Sequence, residues 1–223
     1  MFVNELITFV IKKHDEGIGF DRIKSVILQQ INQTTSEFIK LLSQNQREPQ
    51  YIWFLGLFYH YGIGTDEDSN KAFELFLKAA EDNYSIAQVY LAKHYYHQVE
   101  DDLAFKYYQQ SVENPSGIGQ FYLGCCYESG IGIGINKLKA FKLYKNSAKR
   151  GNNHAQHKLG NLYRKGVGIR KDLERAFHWY GKAANDGNQI AQYKLGKCYQ
   201  YGREVEKDQV KAFEWLERSA KHN

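Results

Sequence analysis

The sequence predicts an all-α fold, a right-handed superhelical solenoid of antiparallel helix pairs, and three observations predict it. Leu55, Leu91, Leu123, Leu159 and Leu195 recur at spacings of 36, 32, 36 and 36 residues. Four residues after each stands a tyrosine: Tyr59, Tyr95, Tyr127, Tyr163, Tyr199. Further on, Ala72-Phe73, Ala104-Phe105, Ala140-Phe141, Ala176-Phe177 and Ala212-Phe213 keep the same frame. Self-similarity at such a period is the mark of stacked supersecondary units.

Each unit reads as two helices. Leu159, Leu162 and Tyr163 stand three and four residues apart, as do Ala176, Trp179, Tyr180 and Ala183, and this spacing lays apolar side chains along one helix face. Between the stripes lie Gly62-Ile63-Gly64, Gly130-Ile131-Gly132 and Gly166-Val167-Gly168, where glycine supplies the positive φ of a helix exit. Asp68, Asn136, Asp172 and Asp208 share one column and read as N-caps of the second helix. Asn83, Gly151 and Gly187 read as its ends. After each leucine comes a small residue (Gly56, Ala92, Gly124, Gly160, Gly196), which lets the second helix approach closely. A mid-helix glycine costs about 1 kcal/mol in propensity, so packing must offset it.

The run from Ala155 to Gly187, Ala-Gln-x-x-Leu-Gly-x-x-Tyr-x-x-Gly-x-Gly followed by Arg-Ala-Phe-x-Trp-Tyr-x-Lys-Ala-Ala-x-x-Gly, resembles the Sel-one-like repeats, relatives of the tetratricopeptide repeats. Residues 51 to 223 divide into five such units: 51–84, 85–115, 116–152, 153–188 and 189–223. The second lacks four loop residues, so its leucine-to-alanine spacing is 13 rather than 17, the spacing of a tetratricopeptide unit. The fifth has Glu204 where the second loop glycine belongs.

Residues 1–50 read as an N-terminal helical cap. Three short apolar stripes, Leu6-Phe9-Val10, Ile23-Val26-Ile27 and Phe38-Leu41-Leu42, are broken at residues 15–19 and 33–35, with Asp21 and Thr35 or Ser36 as N-cap candidates. A terminal repeat has one neighbour only, so a different segment commonly covers it. No equivalent segment follows the fifth unit, whose Phe213, Leu216 and Ala220 lack a unit to pack on; a fragment of a longer chain, a dimerising end, or a tolerated apolar patch are the readings open here.

With 43% hydrophobic and 25% charged residues and two prolines, the chain can bury a continuous core. No run of apolar residues is long enough to span a bilayer, and Glu5 with the lysines placed after the first apolar run argues against a signal peptide. Cys126 and Cys198 share a column held elsewhere by Phe58 and Leu162, so they read as small core residues. Secreted relatives in the family carry regular disulfide pairs that this chain lacks, so the expected location is cytoplasmic. The net charge of +5 resolves into 0 for residues 1–50, −6 for 51–115 and +11 for 116–223. Nucleic acid is disfavoured, since Glu174, Glu206, Glu214 and Glu217 interrupt the basic stretch.

Catalysis finds no support. His154 and His157 share a helix face without a carboxylate or cysteine to complete a metal site, and residues 130–134 follow a helix rather than a strand, which excludes a phosphate loop. No nucleophile has a base beside it. Neither a cofactor nor a metal is expected, and the chain reads as no enzyme. What the resemblance implies is a protein-interaction adaptor or scaffold, in signalling or protein quality control, or alternatively a regulatory segment of an enzyme such as a kinase. The family's groove positions fall two before and two, five and six after each leucine. They name His157, Asn161, Arg164 and Lys165, then Tyr193, Lys197, Gln200 and Tyr201, a mixture suited to an acidic peptide or protein. In the first unit they name Trp53, Leu57, His60 and Tyr61, of which Trp53 and Leu57 are expected to contact the cap.

Overall fold

The computed structural model describes residues 2–31, 35–114 and 116–221. Among them the secondary structure is all helical. Three helices come first, α1 (Phe2–Asp15), α2 (Phe20–Ile31) and α3 (Thr35–Gln44). Five pairs follow: α4 (Pro49–Tyr61) with α5 (Ser69–Glu81), α6 (Ser85–His97) with α7 (Asp101–Gln110), α8 (Gly117–Ser129) with α9 (Lys137–Lys149), α10 (Asn153–Lys165) with α11 (Leu173–Asn185), and α12 (Gln189–Tyr201) with α13 (Gln209–Ala220). Helices pack on their partner and on the next pair in chain order, the connectivity of a solenoid.

The columns acquire physical roles. All five column leucines and all five column alanines are buried. A Cβ on Gly56, Gly124 or Gly160 would stand within 2.8 Å of the ring at Phe76, Tyr144 or Tyr180, so the glycines are where an aromatic of the second helix lies flat on the first. Asp68, Asn136, Asp172 and Asp208 each accept, through the side chain, the N–H of the residue three further on. That residue is Lys71, Lys139, Arg175 or Lys211, and its cation stands 4.1 to 5.7 Å from the column tyrosine ring. One capping turn thus fixes a helix start and places a cation over an aromatic face.

The tyrosine and phenylalanine columns form a rim rather than a core. Of the tyrosines only Tyr163 is buried, and the phenylalanines are half-buried apart from Phe213, which is 69% exposed. The reason is their partner: each phenylalanine meets the tyrosine of the next unit edge to face, at 5.9 Å for Phe73–Tyr95, 5.6 Å for Phe105–Tyr127, 5.7 Å for Phe141–Tyr163 and 5.8 Å for Phe177–Tyr199. These contacts join units at their outer edge.

The irregular second unit keeps its closure. Glu100 N–H donates to the Tyr95 carbonyl at 2.9 Å, as Asp68, Asn136, Asp172 and Asp208 donate to the tyrosines of their own units. The short turn reaches this bond through Val99 at φ 63°, and Glu204 holds φ 62° where the other units have glycine. Both are left-handed residues with a Cβ, so each carries local strain.

The N-terminal helices do two things. Thr35 abuts Gly64 as Asp101 abuts Gly132 and the Lys137 backbone abuts Gly168, so α3 stands where the second helix of a preceding unit would stand. The α1–α2 hairpin instead lies across the repeats. Asp15 Oδ1 accepts from Ser116 Oγ and from the Ile118 N–H, both at 3.1 Å; the Asp15 carbonyl accepts from Asn152 Nδ2 at 3.0 Å, and the Glu16 carbonyl from the Asn153 N–H at 3.0 Å. The expected N-cap Asp21 is corrected: α2 begins at Phe20, which places Asp21 inside the first turn, where a carboxylate still meets the positive end of the helix dipole. Helix α3 begins at Thr35, which likewise places the expected N-caps Thr35 and Ser36 inside its first turn.

Candidate functional site

The first helices of units one to four turn side chains toward a common groove. At the N-terminal end the hairpin fills it. Trp53 and Leu57 are fully buried, and His14 Nε2 lies 3.0 Å from the Tyr90 hydroxyl, with the His14 ring against Trp53 and Phe20. Burial, then the charge of Lys93, push the His14 pKa down to about 3, so the ring is neutral. Phe20 stacks on Tyr61 at 3.6 Å between centroids, and Lys24 Nζ donates to the Tyr61 carbonyl at 2.6 Å.

Beyond the hairpin the groove opens into a pocket of about 810 Å³ between units one and three. His60 and Tyr61 come from α4, Lys93 and Tyr96 from α6, Tyr122 and Glu128 from α8. Lys93 is half-buried, with its ammonium 5.2 Å from the Tyr90 ring and 4.8 Å from the Tyr122 ring. Burial pulls its pKa down to about 8. Glu128 accepts from Tyr144 at 2.9 Å and pairs with Lys158; burial alone would raise its pKa, and the lysine outweighs it. Cys125 and Cys126 are free thiols held protonated by burial. Among the described residues no group of three His, Cys, Asp or Glu side chains has a metal-holding arrangement.

The residues expected from the sequence stand further along, on α10 and α12, in two separate clusters. His157 Nε2 lies 3.1 Å from Asn161 Nδ2, Asn161 Oδ1 accepts from the Tyr180 hydroxyl at 2.8 Å, and Arg164 Nε donates to that hydroxyl at 3.3 Å. Burial, then Lys158, take His157 down to about 4. Lys165 is exposed beside this cluster in sequence and joins none of its bonds. On α12, Lys197 donates to Gln200 at 3.0 Å and sits 5.5 and 5.4 Å from the rings of Tyr193 and Tyr201. None of these eight residues lines the pocket. The offsets that named them, applied to units two and three, name eight residues, of which Lys93, Tyr96, His97, Cys125, Glu128 and Ser129 are on the pocket wall and Val89 and Phe121 are not. The hairpin beside the pocket left no comparable sign in the sequence.

Helix pairs stacked in chain order define a helical-repeat protein. The family model for the Sel1 repeat matches residues 49–84, 85–116, 117–152, 153–188 and 189–223, and the chain belongs to that family. Its fold is similar to that of a Sel1 repeat protein from Oxalobacter formigenes, at 29% identity and a TM-score of 0.74 over 79% of this chain and 74% of that one. A protective antigen of uropathogenic Escherichia coli with the SLR fold aligns at 24% identity and a TM-score of 0.72, over 90% of this chain and 45% of that one. An immunity protein of Pseudomonas aeruginosa, at 13% identity and a TM-score of 0.59 over 82% of this chain and 72% of that one, shares the fold. No curated protein matches the sequence. Sel1 repeat proteins generally serve as protein-interaction scaffolds and are typically non-catalytic. Among the described residues no helix is long and apolar enough to cross a membrane.

Proposed function

We propose that this chain is a non-catalytic adaptor that holds an acidic partner peptide or protein along the groove of its last two units, within cytoplasmic signalling or protein quality control. The observation that carries the reading is the open row on α10 and α12. Arg164 and Lys165 are exposed, and Lys197 stands between Tyr193 and Tyr201 with no carboxylate paired to it among the described residues. Cations framed by aromatic and amide groups suit carboxylates on an extended chain. The +11 charge of residues 116–223 would steer such a partner toward this end. The test is capture of partners by the wild type and by the double reversal Arg164→Glu/Lys165→Glu, both checked for helicity. Partners lost from the reversal support the reading; the same partners at the same yield remove it.

A second contact is proposed on exposed Phe213 and Val210, where two copies would pair. A strictly monomeric mass in sedimentation at high concentration removes that proposal.

A further inference from the structure

We propose that the pocket between units one and three receives the C-terminal residue of a partner chain, with its terminal carboxylate on Lys93 and an apolar last side chain against the aromatic wall. The inference deepens the scaffold reading and rests on it, but it places recognition on residues that the C-terminal row does not include.

The cation comes first. Lys93 is held between the rings of Tyr90 and Tyr122, and among the described residues no carboxylate pairs with it. The pocket's own carboxylate, Glu128, is already engaged by Lys158 and by the Tyr144 hydroxyl. An ammonium withdrawn from water without a counter-ion is costly, and that cost appears as its pKa of about 8. A ligand carboxylate would relieve it. A ligand ammonium would meet the uncompensated Lys93 as a like charge, which disfavours a chain's N-terminus.

Shape decides between an internal acidic residue and a chain end. A segment that passes through needs two exits, yet the α1–α2 hairpin shuts the groove on one side. Phe20 lies flat on Tyr61, and His14 is bonded to Tyr90. Those two tyrosines are also pocket wall, so the closure and the pocket share a surface. Away from the hairpin, the wall includes Tyr96, His97 and Gln98 beside the short second-unit turn, and all three are exposed, which gives a chain a way in. A chain can enter there and must stop. A volume of about 810 Å³ holds a few residues of such an end, within the range of about 300 to 1,000 Å³ usual for ligand sites. Phe73, Phe76 and Tyr108 on the wall leave an apolar side chain as the complementary neighbour of the carboxylate.

The experiment uses the full chain and dye-labelled pentapeptides Gly-Ser-Gly-Ser-X, with X each of the twenty residues, as free acids and as C-terminal amides, read by fluorescence anisotropy. Expected are free acids with apolar X binding about ten- to a hundredfold tighter than their amides, the scale of one charge-assisted hydrogen bond. Lys93→Gln and Lys93→Met, each with wild-type helicity, should both erase the difference, whereas Arg164→Glu/Lys165→Glu should leave it. Equal binding of acids and amides, a preference that survives both Lys93 variants, or no binding of any peptide at about 1 mM would overturn the proposal. A preference lost in the Arg164/Lys165 reversal and kept in the Lys93 variants would overturn it in favour of the C-terminal row. Peptide binding here with an unaltered partner set in that reversal would instead remove only the scaffold reading of the last two units.

Discussion

Single residues here are constrained by ring contacts more than by helix propensity. Gly160 lies under the buried ring of Tyr180, whose Cε1 would be 2.5 Å from an added Cβ, while Gly181, on α11, has nothing within 4 Å. Gly160→Ala gains about 1 kcal/mol of propensity but must displace a ring with no room to move, at a cost of about 1–3 kcal/mol. It should lower the urea midpoint, and Gly181→Ala should raise it, by up to about 1 kcal/mol. A gain for both would mean the ring contact is soft. His14 makes a second residue-scale prediction. Its folded pKa of about 3 lies below the ordinary 6.5, so the unfolded chain binds the extra proton between those values. The stability it contributes is whole above pH 6.5 and falls away as the pH drops toward 3, by up to about 1.4 kcal/mol per pH unit. His14→Gln keeps a polar partner for Tyr90 and removes the titration. Its stability should therefore fall less steeply than the wild type's between pH 6.5 and 5, and parallel curves would refute the assignment.

At the level of helices, capping chemistry was readable and docking was not. The column of Asp68, Asn136, Asp172 and Asp208 pointed to second-helix starts because an N-cap needs a short polar side chain at one position, and all four cap. The first helices use the same chemistry through Ser116, Asn152 and Asn188, a second column that the sequence also carries. The path of α1 and α2 left no such mark, since it rests on single contacts between residues 37 to 137 apart in the chain. Asp15 carries much of it. Asp15→Ala removes an acceptor for two donors at the start of α8, a loss of about 1–3 kcal/mol. Hydrogen exchange should speed up in α1 and α2 while α10 to α13 keep their protection. Unchanged exchange in the hairpin would show that its apolar face alone holds it.

Across the whole molecule, stability is a sum over units and the contacts between neighbours. The fold was legible because the units repeat the same answers: leucine and alanine buried in all five, a side-chain cap at the turn in four, a glycine under a ring in three. The pocket was less so, because it depends on where an irregular unit and a hairpin meet, and neither follows the repeat. The same logic separates chemically identical positions. Phe177 and Phe213 share a column, but Phe177 meets Tyr199 of the next unit at 5.8 Å while Phe213 is 69% exposed. Phe177→Ala breaks an inter-unit contact and should cost about 1–3 kcal/mol. Phe213→Ala should change stability by no more than about 0.5 kcal/mol. The distribution of the loss is as telling as its size. With units coupled through their edges, Phe177→Ala should uncouple α12 and α13 from the rest, so that their amides exchange first and the denaturation curve broadens. A uniform loss of protection along the chain would mean that the five units unfold as one body and that the phenylalanine–tyrosine rim is not what joins them.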